Sequence, residues 1–118
     1  MIKTQNYKKG KEGEEEALKY LENKNYVLVE KNFQNDLGEI DLIMTDNDWL
    51  VFVEVKYKHD DILGLPEEMI GKNKLAQVRR VAESYLVQRR EVVKNFEKYR
   101  IDGVCILAQE IRHYVNLE

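Results

Sequence analysis

Two apolar segments joined by a short polar turn constrain this 118-residue chain more than any other feature. Residues 38–44 and 50–56 are rich in Ile, Leu, Val and Phe, and residues 45–49 have turn composition. With a two-residue turn at Asn47–Asp48, Asp46 pairs with Trp49, Asp41 lies opposite Glu54, and Glu39 lies opposite Lys56. The pattern therefore predicts an antiparallel hairpin.

Side-chain alternation assigns the two faces of this hairpin. One face is apolar and is expected to join the core: Ile40, Leu42, Met44, Val51, Val53 and Val55. The other face carries three carboxylates and an ammonium group: Glu39, Asp41, Glu54 and Lys56. Since Ile43 and Phe52 share that charged face, we expect a covered face that contains a polar pocket.

The facing carboxylates of Asp41 and Glu54 are unfavourable on stability grounds. Directly opposed hairpin residues have Cβ atoms roughly 4.5–5.5 Å apart, and like charges there repel. A Mg²⁺ or Mn²⁺ ion would remove the conflict, and Lys56 would orient a bound water or neutralise developing charge. The alternative is a solvated face with Lys56 in a surface ion pair, worth roughly 0–1 kcal/mol.

The remaining periodicity predicts helices over residues 10–23 and 71–90, and strands over 26–30, 101–107 and 111–115. The order is helix, three strands, helix, two strands. It predicts one α/β or α+β domain over residues 1–118, with a mixed sheet flanked by helices. The last two residues, Leu117 and Glu118, fit either a native or a vector-derived end.

The net charge of −3 argues against a general nucleic-acid coat, but it conceals a split. Residues 1–71 carry −7, whereas residues 72–100 carry +6. Within the basic segment, four arginines are the best candidates for phosphate contacts, with solubility as the alternative role: Arg79, Arg80, Arg89 and Arg90.

Glu14 shares a helical stripe with Leu18 and Leu21, so we expect it to face inward, where a carboxylate needs a partner. The alternative is one solvated Glu among three at a helix start.

The chain has no apolar stretch long enough for a membrane span and no signal core in its first nine residues. With a single cysteine, Cys105, it is expected to be cytoplasmic. We assign no chemistry to His59 or His113.

Several of these residues also carry a family resemblance. Asp41 followed by Glu54-Val55-Lys56 looks like the PD-(D/E)XK nuclease motif, although Ile40 stands where that motif name has proline. Along nearly its whole length the chain resembles the YraN-like family of small bacterial proteins, a relative of the archaeal Holliday junction resolvases. The matching positions are Gly13-Glu14, Asn32, 38–43, 51–56, 64–66, Lys74, Tyr85-Leu86 and 100–102.

This resemblance implies a restriction-endonuclease-like fold with a three-layer core and Mg²⁺- or Mn²⁺-dependent phosphodiester hydrolysis. It makes Asp41, Glu54 and the Val55 carbonyl metal ligands, with Glu14 beside the metal. It makes Lys56 the catalytic lysine, and it places Lys74 and Gln77 near the water and phosphate.

The expected partner is nucleic acid, in particular structured or branched DNA, with no membrane partner. If the chain is a nuclease that cuts junctions, a homodimer is expected, since a junction requires two symmetric cuts. Two alternatives stay open because fold does not fix function: a catalytically inactive nucleic-acid-binding module and a protein-interaction scaffold.

Overall fold

The computed structural model describes residues 2–118, with side chains described from Gly10 onward. Its elements, in chain order, are α1 (Ile2–Asn23), β1 (Val27–Asn35), β2 (Gly38–Asp46), β3 (Trp49–Lys58), a 3₁₀ turn (Pro66–Met69), α2 (Lys72–Gln88), α3 (Arg90–Val93), β4 (Lys98–Leu107) and β5 (Glu110–Tyr114). The predicted order of elements is confirmed. The largest boundary differences are that α1 begins at Ile2, β1 continues to Asn35 and β4 begins at Lys98, and the short helix α3 was not predicted.

All five strands form one mixed sheet in the order β1-β2-β3-β4-β5. Strands β3 and β4 are parallel, and the other neighbours are antiparallel. A parallel pair needs a crossover connection, which α2 provides. Because α1 covers one face of the sheet and α2 the other, the predicted three-layer α/β arrangement is confirmed.

Each helix buries one apolar stripe against the sheet. Ala17 and Leu21 of α1 are fully buried against Leu42, Met44 and their neighbours. On the other side, the Tyr85 ring of α2 meets the rings of Phe33 and Phe52 edge-on, at centroid distances of 5.0 and 5.6 Å. Each fully buried large apolar side chain contributes roughly 1.5–3 kcal/mol, so these stripes hold the helices in place.

The predicted hairpin register between β2 and β3 is correct from Asp46–Trp49 to Leu42–Val53, the last pair of the ladder. The predicted face of Ile40 is wrong. It packs in the α2-side cluster with Ile43, whereas Leu42 packs against α1. Alternation therefore reverses at Asp41, between Ile40 and Leu42.

Side-chain alternation in β1 also reverses, at the position next to Asp41. Lys31 forms an ion pair with Glu15 of α1, but Phe33 packs in the α2-side cluster. Asn32, between them, has a φ of 51°, a left-handed conformation that asparagine tolerates better than most residues. The neighbouring strands thus change faces together at Asn32 and Asp41.

A buried polar network lies in β4 and β5. The Asp102 carboxylate accepts hydrogen bonds from Arg100 Nε at 2.9 Å and from the Asn116 N–H at 3.0 Å. His113 Nε2 lies 2.8 Å from Asp102 Oδ2, and Arg100 also donates to Tyr26 Oη at 2.8 Å. His113 thereby has a structural role within this network. No helix in the described part of the chain is long and apolar enough to cross a membrane.

Candidate active site

The site lies where β2 and β3 separate. Beyond the Leu42–Val53 pair, the Val55 N–H donates to Asp41 Oδ2 at 2.8 Å. The Asp41 side chain therefore takes a backbone donor of β3, and the predicted backbone pairing of Asp41 with Glu54 is not part of the ladder. This contact fixes one carboxylate oxygen of Asp41 between the two strands.

Glu54 is the most unusual group at this point. Its side chain is only 3% exposed, and its Oε1 lies 3.3 Å from Lys56 Nζ and 3.8 Å from Lys74 Nζ. Its Oε2 is buried and accepts no hydrogen bond from the described atoms. Burial, followed by the nearby Asp41 carboxylate, raises the pKa of Glu54 to about 7. The ionised form of Glu54 is thus poorly compensated by the protein alone.

A second group of carboxylates reaches Asp41 from the α1 side. One carboxylate oxygen each from Glu14, Glu39 and Asp41 lies within 4.8 Å of the others. Burial and the nearby Asp41 raise the pKa of Glu14. The position of Glu14 is consistent with the inward orientation predicted for it. Glu39 lies in the same group and is not, as predicted, opposite Lys56.

Two local features hold this acidic cluster together. Gly13 is buried against β3, where an added Cβ would lie 3.0 Å from Tyr57 Cβ, so glycine permits the close approach that brings Glu14 to the site. With its amide nitrogen turned toward the acids, Asn32 donates to Glu14 Oε1 at 2.9 Å and to Glu39 Oε1 at 3.1 Å. The left-handed backbone conformation of Asn32 directs this amide toward the two carboxylates. No sequence pattern predicts that conformation.

The charged residues do not share one face as predicted. Glu54 and Lys56 lie with Lys74 on the α2 side, whereas Glu39 lies with Glu14 on the α1 side. The reversal of alternation at Asp41 causes this split. Because of it, Glu39 points to the α1 side of the sheet and is separated from Glu54 and Lys56. Asp41 connects the two halves through its electrostatic contacts with Glu14 and Glu54.

Two open clefts adjoin this centre, and both include Gly10 in their lining. The acidic cleft, of about 370 Å³, contains the acidic cluster together with Lys11, Asn32 and Gln34. The second, of about 570 Å³, is lined by residues 55–60, Leu63 and Met69 and is called the lysine cleft because it contains Lys56 and Lys58. Their sizes lie within the range of small-ligand sites.

The predicted phosphate-contact residues occupy different places. Lys74 lies at the site, but Gln77 donates to the Leu37 carbonyl at 3.3 Å and so holds the turn between β1 and β2. Arg79 and Arg80 are exposed on α2. Arg89 pairs with Glu30 at 3.4 Å and stacks on Phe33, and Arg90 begins α3. Apart from Lys74, these side chains have surface positions outside the carboxylate centre.

The donor set fits a divalent cation. Carboxylate oxygens are the ligands that Mg²⁺ and Mn²⁺ prefer. The buried, unpartnered Oε2 of Glu54 lacks the compensation that such an ion provides. Lys56 and Lys74 supply positive charge at the other oxygen, Oε1, of the same carboxylate.

The chain belongs to the uncharacterised protein family UPF0102, whose sequence model matches residues 13–106. The match contains α1 from Gly13 onward, the carboxylates of the site, and Lys56, Lys58 and Lys74. The predicted family membership is confirmed at this level, while the relation to PD-(D/E)XK nucleases and to resolvases stays a prediction.

Individual relatives match over nearly the whole chain. A UPF0102 protein of Persephonella marina is 40% identical over 108 residues, covering 92% of this chain and 90% of its own. One from Alkaliphilus oremlandii is 42% identical over 111 residues, covering 94% of each chain. One from Cytophaga hutchinsonii is 37% identical over 103 residues, covering 87% of this chain and 88% of its own.

Proposed function

We propose that this protein is a metal-dependent endonuclease that hydrolyses phosphodiester bonds in structured or branched DNA. The observation that carries the proposal is Glu54: a buried carboxylate beside Asp41, with one oxygen unpartnered and the other facing two lysines. A carboxylate buried in this way lowers stability unless it is neutralised or coordinates a metal.

In the proposed mechanism, Asp41, Glu54 and the Val55 carbonyl would hold Mg²⁺ or Mn²⁺, and Glu14 would lie beside the ion. A divalent ion in such a site stabilises negative charge on phosphate oxygens and lowers the pKa of a bound water. Asp41 is held in place by the Val55 N–H. Lys56, 21% exposed and reaching into the lysine cleft, provides a cation that balances charge building up on the phosphate.

The test is cleavage of four substrates of related sequence: a four-way junction, a flap, a continuous duplex and a single strand. Mg²⁺ or Mn²⁺ should support cleavage, and EDTA should abolish it. Asp41→Asn, Glu54→Gln and Lys56→Ala should each lower the rate by roughly 10²-fold or more. Glu83→Gln, on the exposed surface of α2, is the matched control and should retain full activity.

Two results would defeat the proposal. One is the absence of cleavage of all four substrates with either ion. The other is cleavage by Asp41→Asn at the rate of the unchanged protein. Diffraction from crystals soaked in Mn²⁺ gives an independent check, since an anomalous peak is expected within ligand distance of Asp41 and Glu54.

A nucleic-acid-binding module without catalysis is the second candidate, and the observation in its favour is the net charge of +6 on residues 72–100. In that case Glu54→Gln should leave DNA binding unchanged. Reversing the charge of exposed Arg79 and Arg80 should weaken binding and reduce its salt dependence. If a protein partner is captured and no DNA is bound, the scaffold alternative is favoured instead.

A further inference from the structure

Two aliphatic side chains project into solvent next to the candidate active site. Ile62 and Leu63, in the loop after β3, are 81% and 90% exposed, the highest values among the large apolar residues described. Leu63 also lines the lysine cleft together with Lys56 and Lys58. The loop therefore carries an apolar tip, defined as Ile62 and Leu63, at the edge of a cationic cleft.

Hydrogen bonds hold this tip in its outward position. The Ile62 N–H donates to Asp60 Oδ1 at 3.1 Å, and the Gly64 N–H donates to the Asp61 carbonyl at 3.1 Å. Lys58 Nζ donates to the Leu63 carbonyl at 3.2 Å, which ties the loop to β3. Since exposing such side chains forgoes the free energy of burying them, an ordered apolar tip is typical of a contact surface.

The surroundings of the tip favour nucleic acid as the molecule it contacts. Lys56 and Lys58 line the cleft below it and offer two cations to a phosphate backbone. The loop and the 3₁₀ turn after it also contain four acids, Asp60, Asp61, Glu67 and Glu68. Glu67 is paired with Arg112, and of the four only Asp60 lines the cleft, where Lys56 and Lys58 outnumber it. An aliphatic tip beside a phosphate-binding cleft is suited to a nucleobase that has left its stack, as in proteins that insert Leu, Ile or Met between bases.

We infer that Ile62 and Leu63 contact unstacked nucleobases next to the phosphate that enters the site, so that the protein prefers DNA with interrupted stacking to continuous duplex. The inference rests on the proposed function for the position of the phosphate. It assigns substrate preference to the apolar tip and leaves the chemistry to the carboxylates and Lys56.

The experiment compares the unchanged protein with Ile62→Ser/Leu63→Ser, a double variant that removes both side chains of the tip. Because both are exposed, the substitutions should leave folding intact, as circular dichroism and urea unfolding will verify. Val27→Ser is the matched control, since Val27 is a 62% exposed aliphatic residue on the edge strand β1.

The probes are a splayed fork with 2-aminopurine at its branch point and a continuous duplex of the same sequence. Binding is measured by fluorescence in Ca²⁺, so no step depends on cleavage. The unchanged protein and Val27→Ser should bind the fork about tenfold more tightly than the duplex and alter the 2-aminopurine emission. The double variant should lose most of this preference and the emission change, while its duplex affinity stays the same.

Equal preference for the fork in the double variant and the unchanged protein would overturn the inference, as would failure to bind either probe. A change in sedimentation from dimer to monomer, with fork binding unaltered, would instead assign the tip to an interface between two copies. Because cleavage is not measured, loss of fork preference in the double variant supports the inference even if the hydrolysis proposal fails.

Discussion

Replacing Glu54 by glutamine should make the metal-free protein more stable at alkaline pH. Glutamine keeps the size and one acceptor oxygen of Glu54, so Lys56 and Lys74 retain a partner, while the buried charge disappears. In most proteins, removing a member of a buried ion pair is costly. Here the opposite sign is expected, because the unpartnered Oε2 and the Asp41 carboxylate already disfavour the ionised form.

The pH dependence follows from the pKa of Glu54, which rises from 4.5 to about 7 on folding. Between these values the folded chain keeps a proton that the unfolded chain has released, so the free energy of unfolding falls as pH increases. At about 1.4 kcal/mol for each pH unit, the full loss is roughly 3 kcal/mol above pH 7. The advantage of Glu54→Gln should therefore grow from about 1 kcal/mol at pH 5 to roughly 3 kcal/mol at pH 8.

Urea unfolding in EDTA at pH 5, 6, 7 and 8 measures this difference, with Glu83→Gln as the matched substitution of an exposed glutamate. Adding Mg²⁺ at pH 8 should stabilise the unchanged protein by about 1.4 kcal/mol at ten times its dissociation constant, and Glu54→Gln by less. The reasoning is refuted if Glu54→Gln is the less stable protein at pH 8, or if the difference between the two proteins is the same at every pH.

Three further outcomes are expected from equilibrium unfolding. Burial alone would raise the pKa of Asp102, but hydrogen bonds from His113, Arg100 and the Asn116 N–H lower it. The ionised Asp102 should therefore stabilise the fold above pH 3.8, and this contribution should be lost as pH falls further. Asp102→Asn should lower the free energy of unfolding by about 3–5 kcal/mol at pH 7 and reduce its fall at acid pH. An unchanged fall at acid pH would contradict the lowered pKa of Asp102. Gly38→Ala should destabilise by about 1–2 kcal/mol, because Gly38 has a φ of 145° and its new Cβ would lie 2.9 Å from Gln77 Nε2. Gly10→Ala, in open space within α1, should instead stabilise by up to about 1 kcal/mol, so equal signs for the two glycines would be inconsistent with the fold.

The sequence was sufficient to predict the hairpin register as far as the Leu42–Val53 pair and the existence of the two long helices, because a two-residue turn and regular apolar spacing are local signals. It was insufficient to predict which face each charge occupies. The left-handed conformation of Asn32 and the change of face at Asp41 arise from packing between strands and α1. The start of α1 was missed for a simpler reason: its first turns are polar and carry no apolar periodicity.

The position of Glu39 illustrates the same limit at the site. Strand alternation predicted that Glu39 lies opposite Lys56, whereas in the fold its carboxylate lies beside Glu14 and Asn32. Glu14 reaches that position because Gly13 allows α1 to approach Tyr57 closely. Such a contact between distant segments has no signature in the spacing of a single sequence.

The paired reversal at Asn32 and Asp41 has a consequence for how the chain finds its native strand alignment. In a regular two-stranded ribbon, a slip by one residue exchanges the two faces but leaves the alternation of side chains along each strand intact. Here a slipped β1 would place the left-handed bend of Asn32 beside a residue that continues to alternate normally, and Phe33 would lose its place against Tyr85. The irregularity that creates the acidic cleft thus also discourages misaligned pairing of β1 during folding.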